Sequence, residues 1–311
     1  MNRIWSWAVL ATFLLPLPAF GWNKGGHMVS AAVAFVAMKH ESPKTIARVI
    51  AILKEHPQYE STWLPRIHAM VDATEDDKEM MLFMQAARWP DDARANEEFH
   101  HVHWHFINLP FKPDGQPEHV RVTPPDHDNI LRAYEINLAK VKAHREDPEE
   151  RAVALCWVFH LIGDAHQPLH SAQLFSTQFP KGDHGGVRFF IRAKHDASAI
   201  SLHQYWDDLI IGSERFQSVR NKATELRNEP ELAQRKLNEL SETHFEKWVT
   251  AESFKLAKDV AYRHGKLAGG TELADAIVLP DDYSIVAKPA AERRIVLSAY
   301  RMAAVISKAL E

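Results

Sequence analysis

The chain has 311 residues, with 37 Lys and Arg against 41 Asp and Glu, a formal charge of −4, 19 histidines and one cysteine. This near balance, with no basic run, excludes a bare surface that grips phosphates electrostatically, so phosphate affinity must come from bound cations. One cysteine, Cys156, excludes an internal disulfide, and histidines clustered beside aspartates point to metal.

Residues 1–21 read as a targeting segment: Arg3 in a short basic start, an apolar run over residues 4–15, and the small-residue end Ala19-Phe20-Gly21. The apolar run falls short of the roughly 20 residues of a membrane span. The mature chain is therefore expected to be exported, secreted or periplasmic, with no membrane anchor, and to begin at Trp22. Trp22 also stands where a lipid-anchored export signal would place a cysteine. Trp22-Asn-Lys-Gly-Gly-His27 follows. Its glycine pair lets the chain fold back so that the terminal amine and His27 reach one ion, although the motif also reads as a plain helix start.

Beyond it, apolar residues recur at helical spacing: Ile46, Val49, Ile50 and Leu53, then Ile130, Leu131, Tyr134, Leu138 and Val141, then Val296, Leu297, Tyr300 and Val305. The fold class expected is all-α, a single domain over residues 22–311 with no internal repeat. Proline-bearing loops near Pro110, Pro124, Pro168 and Pro180 separate the helices. Two stretches alternate like strands. Residues 101–106 are expected to be extended, and residues 187–191, after Gly185-Gly186, to form a short β-hairpin on a long loop.

Chemistry concentrates in a few segments. Trp89-Pro90-Asp91-Asp92-Ala93-Arg94 supplies carboxylates and a cation, and His100, His101, His103 and His105 supply imidazoles. On an extended segment His101, His103 and His105 face one way, so spacing alone leaves open which of them binds metal. In His160-Leu-Ile-Gly-Asp164-Ala-His-Gln-Pro168-Leu-His170, His160 and Asp164 share one helix face, and Pro168 turns the chain so that His170 faces another neighbour. His203-Gln-Tyr-Trp-Asp207 repeats the four-residue spacing. Either pair alone also reads as an N-cap contact or a surface ion pair. Two pairs and His170 in apolar surroundings favour metal, because unpaired buried charge is costly.

In order and spacing these residues resemble the zinc-dependent single-strand nucleases of the S1/P1 type, from Trp22 to the chain end. Residues 248–257, with Glu252-Ser253, and the run from Ser298 to Ala303 look like that family's last helices. The resemblance implies a multi-helix domain of the trizinc nuclease and phospholipase C type, with three Zn²⁺ ions per chain. One ion would be held by Asp91, His105, His160 and Asp164. A second would be held by the amine and carbonyl of Trp22, by His27 and by Asp164, which bridges the two, and a third by His170, His203 and Asp207. Removal of Arg3 takes the formal charge to −5, and six charges from three ions bring it to +1, concentrated in the cleft.

The resemblance further implies hydrolysis of single-stranded DNA and RNA to 5′-phosphate products, with 3′-nucleotidase activity as an extension. Asp91, Arg94 and Asp164 would serve catalysis, Arg94 near the phosphate, while Phe106 would stack a base and Asn108 bond its edge. No protein partner is evident. Two residues depart from the family pattern: Asn108 where members carry an aspartate that reads the base, and Val187 where an asparagine usually lies near the phosphate. A trizinc phospholipase C and a non-catalytic exported zinc-binding protein are the competing readings.

Overall fold

The structure is a computed structural model that describes residues 22–143, 145 and 147–311. The targeting segment expected over residues 1–21 lies outside them. Helix α1 (Lys24–Glu41) starts where the Asn23 side chain accepts a hydrogen bond from Gly26 N, a cap that satisfies one of the first-turn donors. Gly25 and Gly26 thus lie in a helical first turn and not in a turned-back loop. The helix is buried on nearly every face from Gly25 to Phe35, as a helix apolar all round must be.

Next come α2 (Pro43–Lys54), with Ile46, Val49, Ile50 and Leu53 all buried as their spacing predicts, and the short α3 (Leu64–His68). Helix α4 (Glu75–Asp92) opens with a capping box between Thr74 and Asp77 and carries Asp91 at its end. Helix α5 (Ile130–Lys142) lies against α6 (Pro148–Asp164), whose first turn is capped by Asp147 and whose last ten residues are buried. Helix α6 also packs on α2, α4 and α1.

Then follow α7 (Leu202–Asp207), α8 (Phe216–Asn228), and the short turns α9 (Phe245–Lys247) and α10 (Phe254–Leu256) interleaved with π-helical turns Trp248–Ser253 and Ala257–Ala261. The long α11 (Tyr283–Ala309) closes the chain against α1 and α6. Among the described residues no helix is long and apolar enough to cross a membrane.

The strands are minor, so the all-α expectation holds. β1 (Leu109–Phe111) pairs in parallel with β2 (Ala172–Leu174), and β3 (Phe190–Arg192) pairs antiparallel with β4 (Ala199–Ser201) and in parallel with β5 (Ile277–Val278). The expected hairpin is β3–β4. Its first strand begins later than residue 187, because Val187 N and Arg188 N bond back to His184 O and Asp183 O in a turn.

Residues 101–106 are not extended. Val102–His105 is a 3₁₀ turn. His101 and Trp104, three residues apart, stack with ring centroids at 3.8 Å, a contact that helical spacing permits and strand alternation forbids. Of this run only His105 is buried.

Candidate metal centre

Helices α1, α4, α6 and α7, with the turns 102–105 and 168–171, bring nine expected residues together, all at most 4% exposed: Trp22, His27, Asp91, His105, His160, Asp164, His170, His203 and Asp207. Three groups have ligand atoms within 4.8 Å of one another: His27, His160 and Asp164; Asp91, His105 and His160; and His170, His203 and Asp207. Asp164 joins them. Its Oδ1 lies 3.2 Å from His27 Nε2 and 3.7 Å from His170 Nδ1, and its Oδ2 lies 3.0 Å from His105 Nδ1 and 3.1 Å from His160 Nε2.

The backbone fixes which nitrogen each imidazole offers. His160 Nδ1 donates to Ala87 O at 2.8 Å, His170 Nδ1 to His105 O at 2.6 Å and His203 Nδ1 to Gly185 O at 2.6 Å. A carbonyl only accepts, so each of these Nδ1 atoms carries the proton and each neutral ring presents an Nε2 lone pair. The Nε2 atoms of His170 and His203 then face each other at 3.1 Å, and these facing lone pairs repel unless a cation lies between them. His160 Nε2 lies 2.9 Å from His105 Nδ1, which is also 3.0 Å from Asp164 Oδ2.

The spacings also suit zinc, whose tetrahedral ligands at about 2.0–2.1 Å are roughly 3.3 Å apart. Among the described residues, His27 Nδ1 and Nε2, Asp91 Oδ2, His105 Nε2 and Asp164 Oδ1 are buried without a hydrogen-bond partner, a debt that coordination would settle. Titration reads the same mismatch. Burial, with the neighbouring carboxylates Asp208, Asp164 and Asp91, pushes Asp207 well above the usual range despite its bond from Gln167. Burial holds His105 down to about 4.

Other residues set this geometry whose part in it the sequence did not show. Gln167 donates to Asp207 Oδ1 at 2.6 Å and accepts from Leu169 N, so it ties the turn before His170 to the third group. Under that turn, Ser253 Oγ donates to Ala165 O, Arg294 Nε to His166 O and Arg301 Nη1 to His166 Nε2, and both guanidinium groups close on Glu252 at 2.6 Å. Arg294 and Arg301 are seven apart on α11. That spacing was the available signal, and it points to one helix face without naming what the face meets.

Trp22 is wholly buried, with its indole N–H on Gly163 O at 3.1 Å, and Asn23 N donates to Asp207 O at 3.2 Å. Arg94 lies on Asp91, its Nε and Nη2 at 3.0 and 2.7 Å from Oδ1. Phe106 and Asn108 are half-buried, and Phe106 is not packed into the core cluster formed by the described residues.

Gly163 allows the first two groups to meet. A Cβ there would lie 2.6 Å from His27 Nδ1, and the His27 ring stacks on His160 at 3.9 Å. Gly163→Ala is expected to push His27 off its position, removing about one ion and destabilising the metal-loaded fold by about 1–3 kcal/mol through overpacking. Elemental analysis and thermal melting check this. Unchanged metal content with an unchanged melting temperature would contradict it.

The loop that supplies Gly185 O depends on left-handed backbone, φ 65° at Gly185 and 82° at Gly186, where a side chain is strained. Beneath it lies wholly buried Asp183, whose carboxylate accepts from Leu174 N and from Tyr262 Oη. Burial pushes this carboxyl up to about 7, against both hydrogen bonds. The folded chain therefore keeps a proton that the unfolded chain releases near pH 4. Stability from this group is present at acid pH and is lost as pH rises from about 4 through 7. Asp183→Asn should remove that loss. Denaturant unfolding at pH 5 and pH 8 is expected to show a smaller difference in the variant, and an identical difference would overturn the assignment.

The S1/P1 Nuclease family model matches residues 22–311, the whole of the described region. The chain belongs to the S1/P1 nuclease family. It is 25% identical to Endonuclease 4 of Arabidopsis thaliana, over 98% of this chain and 95% of the relative, and 23% identical to Endonuclease 3 of the same plant over the same shares. It is 29% identical to Endonuclease 5 over half of each chain. This nuclease is thus a phosphodiester hydrolase, the family's chemistry is metal-dependent, and the three buried His/Asp groups are where metal can be held.

Proposed function

We propose that this nuclease is exported, begins at Trp22 when mature, holds three zinc ions, and hydrolyses single-stranded DNA and RNA to 5′-phosphate products, with 3′-nucleotidase activity as an extension of the same chemistry. The observation that carries the reading is the junction at Asp164, where one carboxylate lies within 3.2 Å of His27, His105 and His160 and within 3.7 Å of His170. When bound, zinc polarises phosphoryl oxygens and lowers the pKa of water from 15.7 to about 7. The protein's own part is orientation. Carbonyls 87, 105 and 185 hold three imidazoles in one tautomer, and Gln167 holds Asp207. Arg94 engages Asp91 through Oδ1, so Oδ2 is the oxygen left to coordinate. The guanidinium also adds fixed positive charge beside the phosphate's position.

Single-strand preference is supported by Phe106, a half-buried ring directly after His105. A base can stack on it only when it has left a duplex. Asn108 offers one donor and one acceptor to such a base, so its preference differs from that of a carboxylate at this position. The test is zinc-loaded protein starting at Trp22, assayed on single-stranded DNA, RNA, duplex DNA and phosphatidylcholine. Cleavage of both single strands well ahead of the duplex is expected. Equal rates on duplex and single strand, or hydrolysis of the phospholipid alone, would overturn the reading.

A further inference from the structure

A groove of about 460 Å³ opens beside the third ligand group, with His203 and Asp207 at one end, a size in the range of roughly 300–1,000 Å³ typical of small-molecule sites. Neither Phe106 nor Asn108 lines it. Its walls are Val187, Phe190, Ile200 and Leu273. The backbone of Phe190 lies between two neighbours, in register with Ser201 on β4 and exchanging both of its hydrogen bonds with Gly270. Its ring, in contrast, is half-buried, lies outside the core cluster and has no aromatic neighbour among the described residues. A half-buried ring on a firmly held backbone, not used by the core, is a stacking platform.

The polar lining suits a base more than an organic cation. Asp208 accepts from Asn23 Nδ2, Glu214 pairs with Arg88, and Lys24 pairs with Asp92. The exposed Gln204 side chain has no protein partner among the described residues and offers a donor and an acceptor. A cage for a quaternary ammonium needs several aromatic faces, and this groove has one.

We propose that the groove is a nucleoside subsite: it takes the base and sugar next to the scissile phosphate, on the side away from Phe106. Val187, which departs from the family pattern, then has a role, because an isopropyl group where an amide is usual extends the apolar wall toward the metal centre. The proposal rests on the nucleic-acid reading above and adds where the second nucleoside sits.

The experiment uses the zinc-loaded, mature nuclease and its variants Phe190→Ala and Leu273→Asp. Leu273 is 49% exposed, so the second variant changes the groove without opening the core. Substrates are a dinucleoside monophosphate and its two analogues, each lacking one base. Each variant, with zinc content equal to wild type, is expected to lower kcat/KM on the dinucleotide about tenfold, mainly through KM, as loss of one base–aromatic stack does. One of the two abasic analogues should already be poor with the wild type and indifferent to Phe190→Ala, while the other should keep the full effect. Unchanged kcat/KM in both variants, or the same loss on both analogues, would overturn the subsite and leave the nuclease reading intact. A wild type that hydrolyses phosphatidylcholine and no dinucleotide would overturn both.

Discussion

Replacing Asp164 by alanine is expected to remove two metal ions together and to lower kcat/KM on single-stranded DNA by about 10³-fold or more, equivalent to roughly 4 kcal/mol of transition-state stabilisation. The two oxygens of this carboxylate face different partners, Oδ1 toward His27 and Oδ2 toward His105 and His160. His160 also belongs to both groups, but its ring offers a single Nε2 lone pair, whereas the carboxylate offers two oxygens. The Asp164 carboxyl is also held well below the usual range: burial opposes this, and the surrounding imidazoles of His160, His170 and His105 outweigh it wherever one of them carries a proton. The anion is thus what lets several imidazoles share one buried volume. His203→Ala, by contrast, removes a ligand of the third group only and should lose one ion. Elemental analysis of the two variants separates the cases, and equal losses would mean that the assignment of residues to ions is wrong.

The second large effect concerns maturation. Trp22 is wholly buried, its indole is bonded to Gly163 O, one residue before Asp164, and the next backbone N–H is bonded to Asp207 O. Trp22 is therefore pinned between the segments that carry Asp164 and Asp207. A free amine there has a lone pair for zinc, whereas a peptide nitrogen in a continuing chain has none to offer. One Met or Gly left ahead of Trp22 should therefore empty or distort the second site, spare the others and leave the fold intact. Activity should fall by orders of magnitude, because a water on fewer cations is less acidic, with a pKa nearer the value of about 9 for aqueous zinc. Zinc content and hydrolysis of single-stranded DNA, compared between the chain starting at Trp22 and the extended chain, decide this. Full activity with three ions in the extended form would refute the terminal amine as a ligand.

Much of the cluster was legible because buried His and Asp residues at helical spacing leave local marks. His160 with Asp164 and His203 with Asp207 each sit one helical turn apart, and both pairs are buried with their oxygen and nitrogen atoms 3.1 and 3.6 Å from one another. His170 follows Pro168, which opens the 3₁₀ turn after α6 has ended. The run around His105 misled because alternating His and aromatic residues imitate a strand, whereas the His101–Trp104 stack and the burial of His105 alone require a 3₁₀ turn. Strands of two or three residues, such as β1, β2 and β5, are too short to carry a period. The residues that orient the ligands were not legible either. Gln167 and Arg294 act through long-range hydrogen bonds to a ligand and to backbone. Glu252 stood out only as part of a family-like helix and acts through Arg294 and Arg301, and three of the key acceptors are main-chain carbonyls that any residue would supply.

In the proposed nuclease, three buried His/Asp groups hold the ions that make the chain a hydrolase of single-stranded nucleic acid. The most direct test is the zinc content of the mature protein measured on the same sample whose hydrolysis of single-stranded DNA is followed before chelation, after chelation and after zinc is returned. Close to three ions per chain are predicted, one for each group. Activity should vanish with a chelator and the melting temperature should fall, because ligands from α1, α4, α6 and α7 tie the fold together without a disulfide. Both should return with zinc. Full activity in protein carrying one ion or fewer, or activity untouched by chelation, would contradict a catalytic three-ion centre.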